Sequence, residues 1–368
     1  MKEASMPPRE RVAIIGAGHV GATTAYALML RALFREIVLI DSDAALAEAE
    51  ADDLSHANAL ARPARIWAGG YDDAASARIA VITAGAATHG AQTRLSVASQ
   101  SAAIVTACVK QLADAGFYGV IIVAANPVDL MALVTLRHAG LPVERVIGTG
   151  TLLDSSRLRQ LLAERLNVAP AAVDGDVLGE HGDSEVAAFS TVRIGGLSLE
   201  QFGGGQAFDQ AALADDVRQA GYRIAAGKGY TSFGVATATV RICEAVLRDE
   251  KAVLPVSTLM TGQYGVSDTY LSLPCVLGAA GVERVLTPDL TAGSRPDCWR
   301  RQTRCGRRSR RWTRLLPKTR RGAQALDAGF RRDGPRGAGF AGRPIRRGRH
   351  GMAPARLFFL AEGAVLPF

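Results

Sequence analysis

Nine residues near the middle of the chain, VLGEHGDSE from Val177 to Glu185, set one histidine between carboxylates and flank it with glycines. Histidine is the side chain whose ordinary pKa lets it give and take a proton near neutrality, and a carboxylate partner fixes its tautomer and favours its charged form. The same letters suit a solvated turn, because Gly, Asp and Ser are turn residues. Of the six histidines (His19, His56, His89, His138, His181 and His350), only His181 sits among residues able to tune it. Upstream, in TLLDSSRLR, Asp154 and Arg157 lie three apart, so a helix places both on one face. Alone they read as an intrahelical ion pair. Beside His181 they take complementary roles, Asp154 holding the imidazole while the planar fork of Arg157 grips a carboxylate at two points.

A second constellation lies near the start. GAGHVG supplies Gly16, Gly18 and Gly21 directly after an apolar strand and before a helix. In that context the first glycine permits a tight turn, the second a close approach of backbone to a pyrophosphate, and the third the packing of helix on strand. The motif alone is weak. Here Asp41 ends the next strand about twenty residues on, where a carboxylate accepts both hydroxyls of an adenosine ribose and repels a 2′-phosphate, so NAD is favoured over NADP. Without a nucleotide, Asp41 reads as a strand-end cap. His19 reads as a permissive position within the loop.

The elements that must position these groups follow from apolar patterning. RVAIIGAG, EIVLIDSD, RIWAG, IAVITAGA and GVIIVAANP read as buried strands, alternating with the Ala/Leu-rich helices TTAYALMLRALF, AALAEAEADDLSHANAL and SVASQSAAIVTACVKQLADA. The fold class is α/β: a Rossmann-type doubly wound parallel sheet over residues 1–148, followed by an α+β region over 149–292. In that second region TLLDSSRLRQLLAERL is helical, AAFSTVRIGGLSL is strand and turn, and LADDVRQAGYRIAAGKGYTSFGVATATVRICEAVLRD is a long helix broken near Gly227–Gly229. KAVLPVSTLM and TYLSLPCVLGAAGVERVL finish it as antiparallel strands.

The 368 residues are 48% hydrophobic, enough for two substantial cores. No uncharged apolar run reaches the ~18 residues of a membrane span. The first ten residues lack the apolar core of a signal peptide, so a cytoplasmic location is expected. Five cysteines form no C-x-x-C pair and no zinc spacing, and no metal is expected. The net charge of +8 is divided unevenly. Residues 293–368 hold 20 Lys+Arg against four acids, a net +16, while the first 292 hold 23 against 31, a net −8.

Residues 11 to about 290 resemble the L-lactate/L-malate dehydrogenase family, on GAGHVG, LIDSD, TAGA, TRL, NPVD, LLDSSRLR, GEHGDS and KGYTSFGVA in that order and spacing. No single motif is specific; the set is. The resemblance implies an NAD-dependent enzyme that reversibly reduces a small 2-oxo acid to the L-2-hydroxy acid. His181 would be proton donor and acceptor, Asp154 its partner and Arg157 the carboxylate clamp. It further implies Arg94 on a closing loop as polariser of the carbonyl, Asn126 beside nicotinamide and substrate, Thr231 in the substrate pocket, and Gly85 of TAGA against the cofactor. Glu180 and Asp183 read as structural. A homotetramer or a dimer is expected.

Six residues before Arg94, lactate enzymes of the family usually carry Gln and malate enzymes Arg; here the position is Thr88. Without an arginine to pair with a second carboxylate, pyruvate is favoured over oxaloacetate, and the short Thr88 leaves room for larger 2-oxo acids. A broader 2-hydroxy-acid dehydrogenase and a malate dehydrogenase stay open as alternatives. His89 reads as a solvated loop residue. Many bacterial members respond to fructose 1,6-bisphosphate through an arginine and a histidine. Arg159 matches the arginine, but Asp174 stands at the histidine position, and a carboxylate facing phosphate predicts little activation.

Residues 293–368 are rich in Arg, Gly and Pro and lose hydrophobic periodicity, a composition expected to be disordered. Family members close with an acidic amphipathic helix here, and its loss would uncover the substrate site. Clustered Arg with Trp299 and Trp312 would suit a nucleic-acid-binding extension, the feature of a rival reading in which the chain is an inactive homologue. The preceding chain uses 19 Arg to four Lys and much Ala, Gly and Val, as a GC-rich gene does, and shifted frames of such a gene favour Arg, Gly and Pro. We favour a shifted frame. Sequencing the coding DNA tests it: an acidic helix encoded by another frame after Gly293 is the expected result, and its absence from both other frames makes the basic extension genuine.

Overall fold

In the computed structural model, residues 10–86, 94–204 and 208–290 are described, with side chains of the fourth helix from residue 97 onward. Thr88, His89 and the segment 293–368 lie outside them, as does the side chain of Arg94.

The first half alternates strand and helix: β1 (Arg11–Ile15), α1 (His19–Leu30), β2 (Glu36–Ile40), α2 (Ala44–Asn58), β3 (Arg65–Ala68), α3 (Tyr71–Ala75), β4 (Ile79–Ile82), α4 (Arg94–Asp114), β5 (Val120–Val123), α5 (Val128–Ala139) and β6 (Val146–Gly148). These six strands pair in parallel in the order β6-β5-β4-β1-β2-β3. Successive side chains face opposite sides of a strand, and both sides are buried, which is why the strands are continuous apolar runs. Val12, Ile14, Leu39 and Ile122 pack against α1, α2 and a later helix, while Ala13, Ile15, Val38 and Val123 pack against α4 and α5.

The helix read over TTAYALMLRALF starts four residues earlier and ends at Leu30; Ala32 takes a positive φ and turns the chain towards β2. Val128–Ala139, unassigned by patterning, is α5, closed by Gly140 in the left-handed conformation.

After β6 come α6 (Leu152–Leu166), the short strands β7 (Val173–Asp174), β8 (Val177–Leu178), β9 (Val186–Ala187), β10 (Arg193–Ile194) and β11 (Leu197–Ser198), then α7 (Leu199–Phe202), α8 (Gln210–Lys228) and α9 (Phe233–Leu247). The expected break in the long helix falls between α8 and α9, opened by Gly229 at φ +87°. Leu158 and Leu162 of α6 pack with Leu213 and Val217 of α8 over Val173 and Ile194.

The chain ends, among the described residues, with β12 (Ala252–Thr261), β13 (Ser267–Gly278) and β14 (Gly281–Val285), antiparallel to one another as expected. They do not form a separate sheet. β12 pairs with β6, so nine strands run continuously in the order β14-β13-β12-β6-β5-β4-β1-β2-β3. The join is the single pair Ser257↔Gly148, and a Cβ on Gly148 would lie 2.8 Å from that of Ser257. Glycine is what lets the two halves of the sheet approach there.

Gly148→Val should therefore force β12 from β6 and destabilise the protein by about 1–3 kcal/mol. Ile122→Val, which trims one methylene from the same sheet, should cost about 0.5–1.5 kcal/mol. Urea unfolding checks both, and a Gly148→Val protein as stable as the parent would contradict this account of the join.

Candidate active site

The candidate residues converge at the carboxyl ends of the parallel strands, where open α/β sheets bind ligands. The β1–α1 loop carries the glycines. Gly16 has φ +105°, and a Cβ on it would sit 2.6 Å from the Ala84 amide nitrogen; one on Gly21 would lie 1.8 Å from the Gly16 carbonyl oxygen. Both positions exclude side chains, so loop and helix pack as the motif requires. A Cβ on Gly18 would meet nothing within 4 Å, so protein packing does not demand this glycine. Gly18 is the N-cap of α1 and offers no side-chain acceptor, and the first turn of the helix holds no acid. That terminus suits an anion.

Asp41 follows β2 and turns towards the loop: its Oδ2 accepts from the Ala17 amide at 2.6 Å, and its Oδ1 from the Asp43 amide at 3.0 Å. The carboxylate thus braces the glycine loop from the end of β2. Gly85 lies after β4, and Asn126 is exposed after β5, before a cis peptide to Pro127. These glycines, Asp41 and the open amides of α1 fit a dinucleotide.

His19 is more than a spacer. Its ring stacks on Tyr230 at 3.9 Å with 14° between planes, joining the glycine loop to the α8–α9 junction. Thr231, partly exposed, is the next residue.

The chemical centre is built on α6. Asp154, Leu158 and Leu162 share one face at i, i+4 and i+8, so the stripe that packs the helix also carries Asp154 inside, where it is 1% exposed. Thr151 Oγ1 donates to the Val177 carbonyl at 2.5 Å, and the Val177 amide donates to Ser155 Oγ at 2.8 Å. These bonds set the distance from α6 to the loop that follows β8. Four residues after Val177, His181 Nδ1 lies 2.6 Å from Asp154 Oδ2, while Arg157 Nη1 donates to Asp154 Oδ1 at 2.8 Å. Asp154 thus engages both neighbours at once. His181 remains 28% exposed and Arg157 17%, so both reach towards solvent from a buried base. Opposite the guanidinium, α8 presents Gly221, whose missing side chain leaves room beside it.

Electrostatics follow from this packing. Burial pushes the Asp154 carboxyl up, but the His181 bond and charge and then Arg157 outweigh it, and its pKa falls below the ordinary carboxylate value. For His181, burial works against the charged ring, yet the bond to Asp154 and the charges of Asp154, Asp129 and Glu185 win and raise it to about 9. The ionised Asp154 fixes the proton on Nδ1, so Nε2 is the nitrogen available to a ligand.

Two acids of this centre are not legible from residue spacing. Asp129, in α5, accepts the His181 backbone N–H at 2.9 Å through Oδ2 and the Ser257 hydroxyl at 2.5 Å through Oδ1. Burial raises it to about 7 against the pull of those bonds. Glu185 is buried, its Oε1 has no hydrogen-bond partner among the described residues, and burial followed by the Asp154 charge raises it to about 8. Both stand in recognisable motifs, NPVD and VLGEHGDSE, but neither spacing relates them to the imidazole. Atoms of Asp154, His181 and Glu185 lie within 4.8 Å of one another, a span a divalent cation could bridge. Arg157 and His181 already occupy both oxygens of Asp154. Glu180 accepts from Ser184 Oγ, and Asp183 from the Tyr222 hydroxyl at 3.1 Å.

Comparison with known proteins agrees along most of the chain. Residues 10–148 match the NAD binding domain of lactate/malate dehydrogenase, and residues 151–295 match its alpha/beta C-terminal domain. An L-lactate dehydrogenase of Thermus aquaticus is 44% identical over 292 residues, 77% of this chain and 94% of that protein; one of Priestia megaterium is 42% identical over 295 residues, 79% and 93%. Among solved structures, the ligand-bound minor L-lactate dehydrogenase of Enterococcus mundtii superposes with a TM-score of 0.80 at 35% identity, covering 82% of this chain and 98% of that one. A lactate dehydrogenase from a deep-sea metagenome gives 0.76 at 36% identity, covering 78% and 93%. On this ground the chain belongs to the lactate/malate dehydrogenase family.

Proposed function

We propose that this protein is an NAD-dependent L-lactate dehydrogenase that reversibly reduces pyruvate, with residues up to 148 holding the cofactor and 149–292 the substrate. The observation that carries the reading is the Asp154 carboxylate shared between His181 and Arg157, which joins a proton donor to a carboxylate clamp. Gly16, Gly18, Gly21, Asp41, Gly85 and Asn126 would hold NAD, which when bound supplies or accepts the hydride at the substrate's C2.

In the reducing direction Arg157 holds the 2-oxo acid by its carboxylate, and protonated His181 donates from Nε2 to the carbonyl oxygen as negative charge develops there. Asp154 stabilises the charged ring before the transfer and keeps its tautomer afterwards. In the reverse direction neutral His181 takes the hydroxyl proton. Arg94 would polarise the carbonyl, Asn126 and Thr231 would orient the substrate, and a threonine at position 88 supplies no second cationic clamp, so pyruvate is preferred to oxaloacetate.

His181 is charged below about 9. The free enzyme is thus ready for reduction through neutrality, and kcat/KM for reduction falls as pH rises past that value. The same shift links to stability. The folded pKa lies above the unfolded value of about 6.5, so this contribution is full below that pH and lost as pH climbs through about 9.

Arg159 donates to the Gly175 carbonyl at 2.9 Å and to Asp176 at 2.8 Å, with Asp174 at 3.8 Å. An arginine so committed, beside two carboxylates, is a poor phosphate site and supports bisphosphate-independent activity. A homo-oligomer, tetramer or dimer, and a cytoplasmic location complete the proposal. Among the described residues no helix is long and apolar enough to cross a membrane.

The test is NADH oxidation by the full chain with pyruvate, oxaloacetate and a branched 2-oxo acid. Pyruvate should give the highest kcat/KM, and fructose 1,6-bisphosphate should change its KM by less than about twofold. Preference for oxaloacetate would contradict the function, as would no turnover despite measurable NADH binding both in this chain and in a protein whose frame after Gly293 is restored. A fall in KM of about tenfold with bisphosphate would contradict the reading of Arg159.

A further inference from the structure

His181 stands on a loop with little intrinsic stiffness. Gly179 at φ +92° and Gly182 at φ +154° flank it. The backbone of this loop is anchored at its start, where Gly179 exchanges amide bonds of 2.9 and 2.8 Å with Ser272 of β13. Beyond that point the His181 amide donates to Asp129 Oδ2, 52 residues away in sequence.

Asp129 is well suited to hold it. The residue belongs to the first turn of α5, whose Met131, Ala132 and Val134 are at most 1% exposed, so its backbone is set by the core. Its other oxygen accepts from Ser257, which is fully buried in β12 at the pair that joins the two halves of the sheet. An acid near a helix N-terminus ordinarily accepts from the helix's own first amides. Here both oxygens reach other segments instead, one in the His181 loop and one in β12. Asn126, the candidate nicotinamide neighbour, lies three residues before Asp129 at the entry to the same helix.

We propose that Asp129 is a positioning residue: bridging the His181 amide and the Ser257 hydroxyl, it keeps the proton-transfer ring in register with Asp154 and with the Asn126 side of the site. The role rests on the proton-transfer reading given above for His181. Asp129 touches no reacting atom. It acts by fixing where the His181 main chain starts, so that Nδ1 meets Asp154 and Nε2 faces the substrate. Its hydrogen bonds, rather than its charge alone, carry the effect.

The experiment compares Asp129→Ala, Asp129→Asn and Ser257→Ala in the full chain. Three quantities are read: kcat and KM with pyruvate, NADH affinity by nicotinamide fluorescence, and the downfield proton NMR signal of the His181 Nδ1–H, assigned by its loss in His181→Gln. Asparagine can still accept from the His181 amide while its NH2 donates to the Ser257 hydroxyl.

Asp129→Ala should lower kcat by about tenfold or more, with NADH affinity within about twofold of the parent, and shift or abolish the downfield signal. Asp129→Asn should keep the signal and return kcat to within about threefold. Ser257→Ala should fall between them. A folded Asp129→Ala protein with parental kcat and an unmoved signal would overturn the proposal, as would an asparagine variant as impaired as the alanine one. If the alanine variant does not fold, the other two decide: a kept signal in Asp129→Asn and a shifted one in Ser257→Ala support the bridge, and any other pattern refutes it. The NMR signal needs no turnover. If the parent reduces no 2-oxo acid, the signal still decides the positioning.

Discussion

The carboxylate of Asp154 is the point on which the site turns. Placing an ion where it is 1% exposed is unfavourable unless its oxygens are satisfied by charged donors. Here each oxygen has one, His181 on Oδ2 and Arg157 on Oδ1. The demand runs in both directions. Asp154 requires two cationic neighbours to remain charged, and in meeting that demand His181 and Arg157 are both held on one carboxylate. The bond to Asp154 and its charge outweigh burial, so the ring keeps its proton.

The fold supplies this carboxylate by ordinary packing. Leu158 and Leu162 bury α6 against α8, and the same face carries Asp154 one turn earlier. Thr151 and Ser155 then tie the helix to Val177, four residues short of His181. The continuous sheet contributes from the other side: β12, joined to β6 at Gly148, brings Ser257 to Asp129, and β13 holds Gly179. Stability and site geometry therefore share residues. A change at the sheet join reaches His181 through two hydrogen bonds.

What the residues revealed on their own were features set locally. A glycine loop between strand and helix, an acid at the next strand end and an Asp-Arg pair at i, i+3 need only nearby chain to be recognised. The convergence of His181 on Asp154 became readable through family resemblance across separated motifs. Helix α5 escaped patterning because Val128, Met131, Ala132, Leu133, Val134 and Thr135 are all buried, which erases the amphipathic period. The single nine-stranded sheet escaped because antiparallel strands with continuous apolar faces carry no signal of the neighbour they will find. The partners of Asp129 lie 52 and 128 residues away, and topology alone brings them together. His19 looked permissive for the same reason: Tyr230, on which it stacks, is more than two hundred residues distant.

The shared carboxylate, against the opposing effect of burial, keeps His181 charged at neutral pH. A pH titration of the His181 ring resonances by NMR, in the parent and in Asp154→Asn, tests it directly. A parental pKa near 9 is expected, and in the variant a fall to or below the ordinary value of about 6.5, because burial is then no longer opposed by that charge. A parental ring that titrates at or below about 6.5, or one indifferent to the loss of Asp154, would contradict it.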